Sequence, residues 1–254
     1  MIIRKSKREI ELMEAAGAVV ASTLAMLEER LAPGMTMAEL DRIADAHIAS
    51  LGGVPTSKGY KGFPAATCIS PNDLIVHGIP GGYSAREGDV ISFDVGVTKD
   101  GMIADSAVTY GVGEISPEAQ RLIDTCRAAL DAGIEAAQVG AVVGDISAAV
   151  QAVVEEAGFS VVRSLVGHGV GRHYHEEPQV PNFVSSYKGP KLVEGMTIAI
   201  EPMITAGGPD VHLHDDGWSI STDDGSLTAH FEHTVAITGE GPRVLTKAAS
   251  VLVP

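Results

Sequence analysis

Carboxylates and imidazoles dominate the residues of this sequence that could do chemistry, and they fall in four clusters. The first is Phe93-Asp94-Val95-Gly96-Val97 with Ile103-Ala104-Asp105-Ser106. Its two aspartates stand far enough apart for two adjacent strands joined by a turn at Lys99-Asp100-Gly101. Such a hairpin is expected to bring Asp94 and Asp105 side by side. Two carboxylates in that position repel unless one is protonated or a cation lies between them. Asp100, before Gly101, reads as a turn residue. The second cluster is Gly167-His168-Gly169-Val170-Gly171-Arg172-His173-Tyr174-His175-Glu176-Glu177-Pro178. Its glycines let the backbone bend, and a neutral imidazole serves as a ligand or a proton carrier. His173 reads as structural.

The third cluster, Ile200-Glu201-Pro202-Met203, ends an apolar strand on an acid fixed by proline. The fourth is Ala229-His230-Phe231-Glu232-His233-Thr234, running into Val235-Ala236-Ile237. Glu232 is expected inside that apolar strand, with His230 and His233 on an ordinary solvated face. Asp94, Asp105, Glu201 and Glu232 bring four negative charges, which two divalent cations would balance beside a neutral His168. Oxygen-rich ligation with one imidazole and no thiolate suits Mn, Fe or Co. Two such ions about 4 Å apart generate a nucleophile and polarise a carbonyl.

The elements that must hold these residues are legible in outline. Ser6-Lys7-Arg8-Glu9 is a capping box, followed by Ile10, Met13, Gly17, Val20, Leu24, Leu27 and Leu31 along one helical face up to Pro33-Gly34. Thr36-Met37-Ala38-Glu39 opens a second helix that stops at Gly52-Gly53. Residues 54–113 read as strands, with runs at Ala66–Ser70, Val90–Val97 and Ala107–Val112. Ser116-Pro117 starts a third helix toward Ala137, and Asp145 opens a fourth, closed by Gly158. Strand texture then returns. The order helix, helix, strands occurs twice, and Glu87-Gly88-Asp89-Val90-Ile91-Ser92-Phe93-Asp94 matches Glu194-Gly195-Met196-Thr197-Ile198-Ala199-Ile200-Glu201, each with an acid eighth. The expectation is one domain over 1–254 made of two halves, about 1–115 and 116–254.

The chain has 254 residues and a formal net charge of −15, which disfavours nucleic acid and anionic membranes as partners. Its 45% hydrophobic and 20% charged content is that of a folded protein. Two cysteines, Cys68 and Cys126, are too few for a disulfide framework. The uncharged run Ala15–Leu27 falls short of the roughly 18 residues of a membrane span, and acids interrupt the basic start. A cytoplasmic protein without a membrane segment is expected.

Taken together the motifs resemble the type I methionine aminopeptidases, in their short bacterial form, of the pita-bread metallopeptidases. The stretches that carry the resemblance are Gly59-Tyr60-Lys61-Gly62-Phe63-Pro64, Cys68-Ile69-Ser70 with Asn72, Val76-His77-Gly78-Ile79-Pro80, the Asp94 and Asp105 strands, Gly167–Pro178, Ile200–Met203, Gly217-Trp218 and Phe231–Thr234. The resemblance implies an α+β pita-bread fold: two pseudo-symmetric halves, an antiparallel sheet, and helices on its outer face. It implies that Asp94, Asp105, His168, Glu201 and Glu232 bind two divalent ions (Co, Mn, Fe or similar), with a monovalent cation near Asn72. It makes His77, His175 and Glu201 catalytic, and places Tyr60, Phe63, Cys68, Tyr174 and Trp218 with the two histidines around the substrate. The implied activity removes the N-terminal methionine of nascent proteins when the second residue is small. The implied partners are such chains, with transient ribosome contact, and the implied state is a monomer.

Three departures from the family pattern leave every ligand in place. Ser57 stands where some members carry a pocket cysteine, Ala104 where glycine is usual, and Tyr110 where phenylalanine is usual. The spacing from His168 to Glu201 leaves no room for the helical insertion of type II enzymes. The alternatives are an Xaa-Pro peptidase, a binding protein that has lost catalysis, and a mononuclear iron oxygenase. An Xaa-Pro peptidase normally carries a large extra N-terminal domain, a non-catalytic relative lacks some ligands, and a facial triad needs more histidine.

Overall fold

A computed structural model describes residues 2–247. The first half runs α1 (Lys7–Arg30), α2 (Met37–Ser50), β1 (Val54–Pro55), β2 (Cys68–Pro71), β3 (Leu74–Val76), β4 (Val90–Lys99) and β5 (Met102–Gly111). The second runs α3 (Pro117–Ala136), α4 (Val143–Glu156), β6 (Ser160–Val161), β7 (Gly167–Gly169), β8 (Glu176–Val180), β9 (Thr197–Ile200) and β10 (Met203–Thr205). It continues with β11 (Val211–Leu213), β12 (Ile220–Thr222), β13 (Thr228–His230), β14 (His233–Thr238) and β15 (Gly241–Val244). All strand pairs are antiparallel, as in β1-β4-β2 with β5 on β4, and β15-β14-β9-β7-β8. This is the expected α+β architecture.

Local chemistry sets the helix ends. Ser6 and Thr36 each cap in both directions, their hydroxyls accepting from Glu9 and Glu39 amides while those carboxylates accept from the cap amides. α1 is long and apolar enough to cross a membrane, but its apolar stripe is buried against β4 and β5. Val20, Leu24 and Leu27 of that stripe join Phe93 and Val95 in one apolar cluster. The fourth helix departs from expectation: α4 begins at Val143, and Asp145 lies in its first turn, where its carboxylate accepts the Val142 amide at 2.8 Å. An acid three residues past the cap does this work as well as one at the cap.

The two halves repeat their backbone bonding. Gly88 and Gly195 both adopt the left-handed region, at φ 88 and 90°, which suits glycine. Gly88 donates to Val112 and Gly195 to Ile237, while Val112 and Ile237 donate back to Asp89 and Met196. Each turn launches the apolar strand that ends at an acid. The halves are sewn together where β5 meets the segment before β14. Ala107 and Glu232 exchange both backbone hydrogen bonds, and the Thr109 hydroxyl donates to the His230 carbonyl. The Thr234 hydroxyl accepts from the Asp105 amide at 2.9 Å and donates to the Asp105 carbonyl at 2.8 Å.

That hydroxyl is fully buried, so removing it strands two backbone groups. Thr234→Val keeps the shape and is expected to lower stability by about 1–3 kcal/mol in urea unfolding. Unchanged stability would mean that this seam is not held by the Thr234 hydroxyl.

Candidate metal centre

The hairpin β4–β5 places the first two acids. Asp100 and Gly101 form its two-residue turn, both at positive φ, pairing Lys99 with Met102. The register sets Asp94 opposite Ala107 and Asp105 opposite Gly96. The aspartates are therefore diagonal neighbours on one face, two pairs apart, rather than directly opposite. Cys68 is Asp94's partner on β2.

Glu201 follows the last residue of β9, and its carbonyl accepts from the Asn182 amide at 2.8 Å. Glu232 is not inside a strand as expected. It occupies the two-residue break between β13 and β14, where its backbone pairs with Ala107. The break turns the side chain toward Asp105. His168 lies in β7, with Nδ1 2.8 Å from the Gly169 carbonyl. A carbonyl only accepts, so Nδ1 carries the proton and Nε2 presents a lone pair, 3.4 Å from Glu201 Oε1. One ligand atom each from Asp105, His168 and Glu232 lie within 4.8 Å of one another.

This much negative charge is costly out of water. Burial pushes the Asp94 carboxyl up to about 6, against hydrogen bonds from Asp105 and Cys68. Burial and then the Asp94 charge raise Asp105 well above the carboxylate range. Burial, followed by the neighbouring carboxylates, does the same to Glu201 and Glu232. Asp94 Oδ1 and Glu232 Oε1 are buried with no hydrogen-bond partner. Orphaned carboxylate oxygens beside a neutral imidazole lone pair are the donor set of a divalent cation with oxygen-rich ligation. Cys68 does not compete: burial and then Asp94 keep its thiol protonated. The residues fit the ions that the motifs implied.

Beside the carboxylates opens a cavity of about 150 Å³. All twelve residues singled out in the sequence line it: Asp94, Asp105, His168, Glu201 and Glu232, then His77, His175, Tyr60, Phe63, Cys68, Tyr174 and Trp218. Phe63 meets Trp218 edge-on at 5.1 Å, and His77 meets Trp218 at 6.2 Å. His175 stacks on Tyr60 and sits 4.1 Å from the His168 ring, with Nδ1 3.0 Å from the Tyr60 hydroxyl. Burial lowers His77, and burial, followed by His168, Lys61 and His77 nearby, takes His175 down to about 3, so both are neutral.

Three further residues belong here. Ser57 and Lys61 line the cavity, Ser57 bonding the Tyr174 hydroxyl at 3.0 Å. The third corrects an expectation. His230 is not on a solvated face: it is 2% exposed, neither ring nitrogen has a hydrogen-bond partner, and Nε2 lies 3.7 Å from Glu201 Oε2. Its sequence signal was its place two residues before Glu232. His233 is half-buried and bonds Ser106 and Thr246 instead. His173 is exposed, as a loop residue should be.

The raised carboxyls have a thermodynamic consequence. Their stabilising contribution is complete below the unfolded value near 4 and is lost as pH rises through the folded values, about 6 for Asp94. Metal-free protein should therefore melt at falling temperature as pH goes from about 5 to about 7.5. Added Mn²⁺ should raise the melting temperature more at the higher pH, because ion and protons compete for the same oxygens. A metal effect independent of pH in calorimetry would contradict this.

The model of Metallopeptidase family M24 matches residues 11–239. The chain is 50% identical over 246 residues to the methionine aminopeptidase of Clostridium perfringens, covering 97% of this chain and 99% of that one. The crystal structure of methionine aminopeptidase from Thermotoga maritima superposes with a TM-score of 0.95 at 42% identity, over 97% of this chain and 100% of that one. The prolidase from Pyrococcus furiosus shares the fold, with a TM-score of 0.78 at 23% identity, over 97% of this chain but 66% of the prolidase. The chain belongs to metallopeptidase family M24, among its methionine aminopeptidases.

Proposed function

We infer that the chain hydrolyses the first peptide bond of proteins that begin with methionine, with two divalent ions among Asp94, Asp105, His168, Glu201 and Glu232. One observation carries this reading: a buried carboxylate cluster opens onto a small cavity walled by aromatic rings and a thiol. When bound, the ions neutralise the carboxylates and supply Lewis-acid activation of carbonyl and water.

The chain's own groups account for the rest. Tyr60, Phe63, Cys68, Tyr174 and Trp218 take the methionine side chain, since aromatic edges and soft sulfur suit a thioether. Carboxylates at the cavity floor attract a free α-amine and so select chain ends. His77 and His175, both neutral, present ring N–H groups to the scissile carbonyl and the leaving amide. The Tyr60 hydroxyl at His175 Nδ1 leaves Nε2 free to donate. Glu201, at the edge of the carboxylate cluster, takes up and returns a proton.

A monovalent cation near Asn72 is the third ion of this reading, beside carbonyls that gather at Thr228. The Asn72 and Leu74 carbonyls both lie within hydrogen-bonding distance of the Thr228 hydroxyl, at 2.8 and 2.9 Å. Nascent chains in the cytoplasm are the substrates this reading implies.

The test is a peptide series. His77 and His175 flank the scissile bond, so a long second side chain displaces it, and about 1 Å of displacement costs about 10²-fold. Met-Ala-Ser should be cleaved with a kcat/KM about 10²-fold above Met-Lys-Ser, and N-acetyl-Met-Ala-Ser not at all. Equal rates for the first two would remove the positional argument. Turnover of the acetylated peptide would remove the aminopeptidase reading.

A further inference from the structure

Among the described residues, one buried ion pair lies outside the metal centre and its cavity. Lys5 Nζ and Glu176 Oε2 are 2.5 Å apart, with side chains only 2% and 4% exposed. A pair so deeply desolvated is held by geometry and further hydrogen bonds more than by Coulomb attraction. Those further bonds identify its purpose. Glu176 Oε1 accepts the backbone amides of Arg172 at 2.9 Å and His173 at 3.1 Å, closing the loop 171–176 on itself. Burial alone would raise the Glu176 carboxyl, but Lys5 and these amides hold it below its usual range. The Lys5 amide donates to the Gly195 carbonyl at 2.6 Å, so the lysine stands on the turn that launches β9 and Glu201.

Gly171 shows how closely the pair is fitted. A Cβ there would lie 2.2 Å from Lys5 Cε and 3.1 Å from Glu176 Oε1. The Gly171 carbonyl also accepts the Ile103 amide at 2.8 Å, two residues before Asp105. The loop so gripped carries Tyr174 and His175. The His175 ring has a single hydrogen bond, to Tyr60, and is otherwise held by stacking on Tyr60 and against His168, so its place also depends on where its backbone puts it.

We propose that Lys5 and Glu176 are positioning residues for His175: the pair fixes the loop that holds the imidazole over the scissile bond. Lys5, just before α1, thereby acts on the site without lining the cavity. This rests on the reading of His175 as substrate-facing.

The test uses the full-length, metal-loaded protein with Met-Ala-Ser. Lys5→Met should lower kcat about 10–100-fold, with little change in KM and unchanged metal content. In a His175→Ala background the same substitution should cost less than about threefold, because the group it positions is gone. Lys5→Met/Glu176→Gln leaves no unpaired buried charge and should melt near wild type yet remain slow. Recovery of rate with stability in that double variant would make the pair merely structural and overturn the proposal. So would an equal loss of kcat in both backgrounds. A slow His175→Ala enzyme beside a Lys5→Met enzyme of wild-type rate would sink the proposal alone. A His175→Ala enzyme of wild-type rate would remove the role of His175 and the proposal with it.

Discussion

Asp94, Asp105, Glu201 and Glu232 are gathered out of water where the two halves of the chain meet, and two of their oxygens have no hydrogen-bond partner. Charge in such a place needs either protons or cations. The rest of the molecule can be understood as the scaffold that makes this arrangement tolerable. Apolar clusters fill the space behind each acid, α1 and α2 behind β4, α3 and α4 behind β9. The seam between β5 and the residues before β14 holds Asp105 and Glu232 against each other by backbone bonds that do not depend on a metal.

The repeated turn-and-strand pattern explains why the site is oxygen-rich and symmetric. Each half contributes an acid at the end of an apolar strand launched by a glycine turn, Asp94 after Gly88 and Glu201 after Gly195. Each half also contributes an acid from the returning segment, Asp105 or Glu232. The imidazoles come from loops and strand ends outside this repeat, which is how one side of the site differs from the other. His168, His175 and Tyr174 arrive together because Gly167–Glu176 passes over the carboxylates and is pinned to the segment before α1. Catalytic groups on a short loop gripped at its base are better placed than on a free one.

Local signals are legible in the sequence. Both capping boxes, a turn at Lys99-Asp100-Gly101 and the repeated Glu-Gly strand starts depend on neighbours within a few residues, and the structure has them, with the turn narrowed to Asp100-Gly101. The turn Asp100-Gly101 also sets the offset between Asp94 and Asp105, since pairing Lys99 with Met102 puts Asp94 opposite Ala107 and Asp105 opposite Gly96. Other features depend on contacts across the fold. Glu232 looked like a strand residue because apolar residues flank it, yet pairing with Ala107 breaks the strand there. His230 looked solvated because nothing nearby in sequence covers it; the cover comes from Glu201 and β10, some thirty residues earlier. The same limit hid the Lys5–Glu176 pair, whose members are 171 residues apart. The cavity residues were found through the family resemblance, since aromatic side chains in Gly-rich turns have no periodicity to give them away.

Whether the buried carboxylates hold two divalent ions is decided by titrating metal-free protein with Mn²⁺ near pH 6 and counting ions bound and protons released per chain. Two saturable ions, taken up with release of protons from carboxyls that burial has raised, are expected. One ion or none, or binding without proton release, would rule out a two-ion centre.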